Sequence, residues 1–315
     1  KKIAGLYRES GDAAKSMEAY RKAMEIYKKL EAKEEYGELL EDMASGYSKI
    51  KDYVNAEKYY QEALQLYRTI KARNKEAGVL SSLGDMFFSE QKYARADEYF
   101  VLASAIQKNI NDRSGLMYTY MSRGSVAQDF KEDYKEAINK MRMALALAEE
   151  TKSEVNIAFC QNRIGSLFSY INEYDSAKIC YDKAMAIYQK LEDKENLAAV
   201  YLNYGYYYNY RGDFEKARDQ FERSLAIAKQ INNAYSIASA TYGLTGYHYT
   251  KGNFAEALKG IEEVLAIYRQ KDNPWGIASV FLNQGNIRNQ QGEFDEALQF
   301  YYKTDSIYKK LGLEK

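Results

Sequence analysis

Phe214, Ala217, Phe221, Ser224 and Leu225 follow one another at steps of three and four, the spacing that gathers side chains on one face of an α-helix. The same pattern returns down the chain. An alanine-like position stands at Ser16, Ala56, Ala96, Ala137, Ala177, Ala217, Ala257 and Ala297, every interval being 40 residues except one of 41. Three residues before it are Ala13, Tyr53, Tyr93, Tyr134, Tyr174, Phe214, Phe254 and Phe294; four residues after it are Tyr20, Tyr60, Phe100, Met141, Tyr181, Phe221, Ile261 and Tyr301. A small residue precedes each turn, at Ala4, Ala44, Gly84, Ser125, Gly165, Gly205, Thr245 and Gly285. Eight units in one register make the chain a tandem repeat, and each unit predicts two helices.

The small residue falls midway along the first helix, where a bulky side chain would keep the hairpin from closing. Gly11-Asp12, Gly212-Asp213 and Gly252-Asn253 mark the clearest turns, glycine taking the positive φ and the polar residue capping the next helix. Polar joints such as Glu192-Asp193-Lys194 separate the units, and at Lys271-Asp272-Asn273-Pro274 the asparagine suits the cap and the proline the first helical turn. The fourth unit departs most: Gln128 and Met141 stand where other units have aromatics, and no glycine marks its turn.

A small residue, a turn, and then aromatic-x-x-Ala-x-x-x-aromatic resembles the tetratricopeptide repeat. Leu202-Asn203-Tyr204-Gly205 followed by Gly212-Asp213-Phe214-Glu215-Lys216-Ala217 is the closest copy. The resemblance covers essentially the whole chain, in the longer variety found in kinesin light chains, Pins-type adaptors and bacterial signalling proteins. It implies an all-α fold, a right-handed α-solenoid of about eight antiparallel helix pairs. The expected units are residues 1–33 (first helix truncated), 34–74, 75–114, 115–155, 156–195, 196–235, 236–275 and 276–315 of one array.

Composition narrows the function. With 45 Lys plus Arg against 45 Asp plus Glu, the chain lacks the basic excess of a nucleic-acid binder, and no nucleic-acid partner is expected. No apolar run reaches the roughly 18 residues of a membrane span, so no membrane insertion is expected. A single proline accords with an all-helical chain. Tyrosine is in excess, 32 residues, and half of these occupy four repeat positions, where rings fill the space between hairpins. His248 takes the place of Tyr47 and Tyr208 and is expected in a packed, hydrogen-bonded core role. Cys160 and Cys180 read as buried structural thiols. Without a phosphate-binding loop, a metal cluster or a nucleophile–base pair, no enzyme, cofactor or metal is expected.

In the resembled arrays first helices line an inner groove, and asparagines there hold an extended peptide. On that face unit five offers Asn162, Arg163, Ser169 and Tyr170, and unit six Asn203, Tyr206, Asn209 and Tyr210. Unit seven offers Ser239, Tyr242 and Tyr249, and unit eight Asn283, Asn286, Asn289 and Gln290. Asparagine carries donor and acceptor together, so it can pair with a peptide backbone of any sequence. Tyrosine adds broad, stiff contact area. Charge changes along the same face, from Glu41, Asp42, Asp85 and Asp129 to Arg123, Arg163 and Arg288, an asymmetry able to orient a guest.

The expected function is a scaffold or sensor module that captures a protein or peptide and regulates an effector outside this chain. The sequence opens without Met, its first unit is short, and no polar helix closes the last. An internal segment of a longer protein is the favoured reading; the alternative is a homo-oligomer joined through exposed terminal repeats. Small-molecule sensing in a tyrosine-rich cleft is a third reading.

Overall fold

In the computed structural model, residues 13–311 are described, and among them fifteen helices of seventeen residues follow one another. They are α1 (Ala13–Lys29), α2 (Lys33–Lys49), α3 (Tyr53–Thr69), α4 (Arg73–Ser89), α5 (Tyr93–Asn109), α6 (Arg113–Asp129), α7 (Tyr134–Glu150), α8 (Glu154–Tyr170), α9 (Tyr174–Lys190), α10 (Lys194–Tyr210), α11 (Phe214–Gln230), α12 (Ala234–Thr250), α13 (Phe254–Gln270), α14 (Pro274–Gln290) and α15 (Phe294–Lys310). Even-numbered helices are the first of a repeat and odd-numbered the second. The expected positions Ala4 and Gly11-Asp12 lie outside the described residues, as does the side chain of Ser16. The chain forms two compact units that divide in the first turn of α8, one reaching Asn156 and the other starting at Ile157.

Two seventeen-residue helices and two three-residue joints make the 40-residue period. Every joint uses one residue in the left-handed region, and only Gly212 (φ +77°), Gly252 (+75°) and Gly292 (+80°) are glycines. Lys51, Lys71, Asn111, Asn172, Glu192 and Asp272 adopt the same conformation with a side chain attached. Polar residues there, and not glycine alone, mark the helix ends. The following residue closes the last turn, its N–H returning to a carbonyl five residues back: Asp52 to Tyr47 at 2.9 Å, Asp193 to Tyr188 at 3.0 Å, Asn273 to Tyr268 at 2.9 Å. That same residue caps the next helix. Asp52, Asp193, Asp213 and Asn273 accept from the N–H three residues on. Asn253, expected to do so, makes no side-chain capping bond.

The small positions work as the sequence suggests. A Cβ on Gly84 would stand 2.5 Å from the Phe100 ring, on Gly205 2.4 Å from Phe221, and on Gly285 2.5 Å from Tyr301. Each glycine lets the ring of its own second helix lie against the first helix's backbone. The fourth repeat corrects the sequence reading by one residue: Gly124, not Ser125, faces Met141, at 3.0 Å from a built Cβ. The extra residue of the 41-residue interval lies after it, in the four-residue joint between α6 and α7. Ala127, rather than Gln128, then stands in the ring-bearing register, and it is buried.

Within the first unit Tyr60, Tyr67, Leu80, Leu83, Phe87 and Phe100 share one core. In the second, Ala257, Ile261, Val264, Val280 and Ile287 share another. The alanine-like position is shut throughout, from Ala56 to Ala297, at 2% exposure or less. Tyrosines supply much of the filling, and their hydroxyls find partners: Tyr67 donates to Glu41 at 2.6 Å and Tyr204 to Asp182 at 3.1 Å. His248 packs its ring against Tyr247, but its Nδ1 is buried with no hydrogen-bond partner, so only the packing half of its expected role is present. Cys160 and Cys180 are buried and form no disulfide with each other.

Two glycine substitutions separate the closure from the backbone. Gly205→Ala is expected to destabilise by about 1–3 kcal/mol, because the methyl meets the Phe221 ring. Gly246→Ala, where a Cβ meets nothing within 4 Å, should stabilise by about 0.5–1 kcal/mol through helix propensity. Urea unfolding of both variants checks the sign of each.

Candidate functional site

The helical hairpins turn many of their rings inward, and the first helices carry both polar and aromatic residues at the surface. In the second unit, α12 and α14 lie side by side, and a cleft of about 180 Å³ opens between them. Tyr242, Thr245, Gly246 and Tyr249 line it from α12, Asn283, Asn286 and Ile287 from α14, and Ile261 of α13 from below. Four of the residues singled out in the sequence therefore meet: Tyr242, Tyr249, Asn283 and Asn286. Asn283 donates its amide to the Tyr242 hydroxyl. Asn286 accepts from Tyr301 at 3.0 Å, and its amide N–H groups have no partner among the described residues. Burial raises the Tyr242 phenol, so it stays a neutral donor and acceptor. Gly246, Ile261 and Ile287, the apolar floor, were not anticipated. The one available signal was the absence of a side chain at Gly246, where the preceding repeat has Tyr206.

Other predicted residues pair with each other. Asn203 donates to Asn162 at 3.1 Å, and Asn162 is buried, which removes it from the presented surface. Ser169 is likewise buried, its hydroxyl on the Gly165 carbonyl at 3.1 Å. Tyr170 and Tyr210 are exposed, their rings 6.0 Å apart. Tyr206 meets Phe221 edge-on at 5.1 Å, and burial raises its phenol, with Tyr242 adding to the effect. Asn209 and Arg163 are half-buried on α10 and α8, and Asn289 and Gln290 are exposed at the end of α14.

Part of the expected charge asymmetry is spent within the fold. Arg123 is tied to Asp97 at 2.9 Å, and Arg288 is tied to Glu293 and Glu296. Glu41 accepts from Tyr67. These contacts fasten neighbouring helices and joints.

In the first unit a second cleft, of about 400 Å³, lies between α2 and α4, lined by Ser45, Ser48, Lys49, Tyr60, Ser82, Asp85, Met86 and Ser89. Burial pushes the Asp85 carboxyl up to about 6, while the Tyr118 hydroxyl, 2.7 Å away, pulls it back. Tyr60 is pushed up to about 12 by burial and the Glu41 charge, against the opposing pull of Ser45 and Ser82. Among the described residues no group of three or more His, Cys, Asp or Glu side chains gathers as a metal site would, and no helix is long and apolar enough to cross a membrane.

A carboxyl raised from 3.8 in the unfolded chain to about 6 in the folded one costs stability when it ionises. The protein is therefore expected to lose stability through this group as pH rises between about 4 and 6, and to stay at the lower level above. Asp85→Asn should remove that slope and gain on the order of 1 kcal/mol near neutrality, after allowance for solvent screening. Thermal melts of both proteins across this pH range provide the check.

No curated protein matches the chain in sequence. Among solved structures, aspartyl phosphate phosphatase F from Bacillus subtilis superposes with a TM-score of 0.73 at 16% identity, over 90% of this chain and 73% of that one. A STAND signal-transduction ATPase with a tetratricopeptide repeat sensor, from Pyrococcus horikoshii, gives 0.68 at 16% identity over 99% of this chain and 47% of that one. A Rap protein complexed with competence and sporulation factor gives 0.62 at 14% identity over 89% and 99%. At such identities the likeness establishes the α-solenoid fold and nothing finer. The tetratricopeptide repeat family model matches residues 1–69, 116–190 and 156–230, more than half of the sequence, and with the ring-on-glycine hairpins it makes this chain a member of the tetratricopeptide repeat family.

Proposed function

We propose that the second unit is a peptide-capturing module, holding an extended segment of a partner protein along the first-helix face of α8, α10, α12 and α14, and acting as scaffold or sensor rather than as catalyst. The observation that carries this reading is the cleft between α12 and α14. Its floor, Ile261 and Ile287, is apolar, and its rim is made of Asn283, Asn286, Tyr242 and Tyr249. A floor of that kind takes an apolar side chain. The spare amide donors of Asn286 suit the backbone carbonyls of the chain that carries it. Tyr170 and Tyr210 offer flat aromatic contact further along the same unit. The similarity to a repeat sensor in one solved structure, and to a Rap protein caught with a bound factor in another, supports a sensing role.

Self-association is the second reading, favoured by Phe294, Leu298 and Tyr302, which stand exposed along one face of α15 at steps of four. Sedimentation over a concentration series decides it. A monomer at high concentration removes it.

For the peptide reading, a displayed library of random peptides selected on the protein supplies the probe. Gly246→Leu is the decisive variant, because a Cβ at Gly246 meets nothing within 4 Å and the residue lines the cleft that a longer side chain would fill. Affinity for the selected peptides is expected to fall at least about tenfold, while the melting temperature holds or rises. Asn203→Ala with Asn286→Ala should weaken binding with helicity unchanged. Unaltered affinity in both variants would remove this face from the account.

A further inference from the structure

The two clefts occupy the same place in the repeat. Tyr60, Ser82, Asp85 and Met86 in the first unit stand where Ile261, Asn283, Asn286 and Ile287 stand in the second, each above the same ring-bearing position of a second helix. Their chemistry differs sharply. The second-unit cleft has an apolar floor and amide rim, whereas the first-unit cleft has four serine hydroxyls, one phenol, one carboxylate and one amine.

We infer that the cleft between α2 and α4 is a separate binding site for a small zwitterion of the amino-acid class, its ammonium group held by Asp85 and its carboxylate by Lys49. Asp85 accepts one hydrogen bond, from Tyr118, and no cation among the described residues pairs with it. Lys49 is exposed at the C-terminal end of α2 and forms no ion pair with Asp85, so opposite charges line one cleft without cancelling. A ligand whose own charges are separated satisfies both at once. Ser45 and Ser82 lie against the Tyr60 phenol and, with Ser48 and Ser89, present hydroxyls that can donate or accept between the two ends. A volume of about 400 Å³ lies within the range of small-molecule sites. Two other carboxylates of the same unit are matched by cations, Glu76 by Arg68 and Arg73, and Asp97 by Arg123 and Lys131. Asp85 is a half-buried acid with no cation paired to it among the described residues, at a cost in stability that a bound ammonium would return.

Saturation-transfer NMR of the full chain with pools of the common amino acids identifies binders, and titration calorimetry ranks each against its N-acetyl and its amide derivative. At least one free amino acid is expected to bind saturably, with either derivative at least about tenfold weaker. Asp85→Asn keeps the shape and the Tyr118 contact, and Lys49→Met keeps the length; each should weaken binding by a similar factor. Gly246→Leu, in the other cleft, should leave it unchanged. The inference is overturned if no amino acid binds, if the N-acetyl or amide form binds as well as the parent, or if Asp85→Asn has no effect. None of these outcomes bears on peptide capture by the second unit.

Discussion

The fold depends on one contact, an aromatic ring of each second helix laid against a glycine or other small residue of the first. Gly84 with Phe100, Gly165 with Tyr181, Gly205 with Phe221 and Gly285 with Tyr301 leave no room for even a methyl group at ordinary contact distance. Two helices can approach that closely only if one gives up its side chain at the crossing. The substitutions within the pattern obey the same volume rule. Thr245, larger than glycine, shares its repeat with Ile261 in place of a ring, and Met141, more compliant than a ring, faces Gly124 in the fourth repeat.

Because the rings are consumed in closing hairpins and stacking neighbours, the first helices keep a face whose composition the fold does not dictate. Position by position that face carries Ser45, Asp85, Tyr206, Gly246 and Asn286 in one register. Such freedom at constant backbone is what lets one repeat architecture hold a hydroxyl-lined, charged cleft in its first unit and an apolar, amide-rimmed cleft in its second. Seventeen-residue helices joined by three residues keep the register, and at joints such as those of Asp52, Asp193 and Asn273 the capping residue serves two helices at once.

The repeat, the helix pairs and the small-to-ring partnership were legible in the sequence because each is a periodic constraint, sampled eight times. A single inserted residue defeats such reading locally. Its place, before or after Gly124, could not be told from the alanine register alone, and the packing against Met141 decides it. The left-handed joints were seen only where glycine announced them, since Lys, Glu and Asn tolerate that conformation without a distinctive signature. At the candidate site, the helix faces were readable but their pairings were not. Asn162 and Asn203 spend their amides on each other, and Arg123 and Arg288 are neutralised by acids of neighbouring helices and joints. Gly246, which makes the second-unit cleft, contributes by having no side chain, and spacing rules give such a residue no weight.

A crystal structure of the chain bound to its tightest selected peptide tests the central claim most directly: that ring packing inside the hairpins leaves the first-helix face as the surface that receives a guest. The account predicts an extended peptide along α12 and α14, one apolar side chain over Ile261 and Ile287, and backbone carbonyls on the Asn286 amide. A peptide seated on the second-helix face, with this cleft empty, would contradict it.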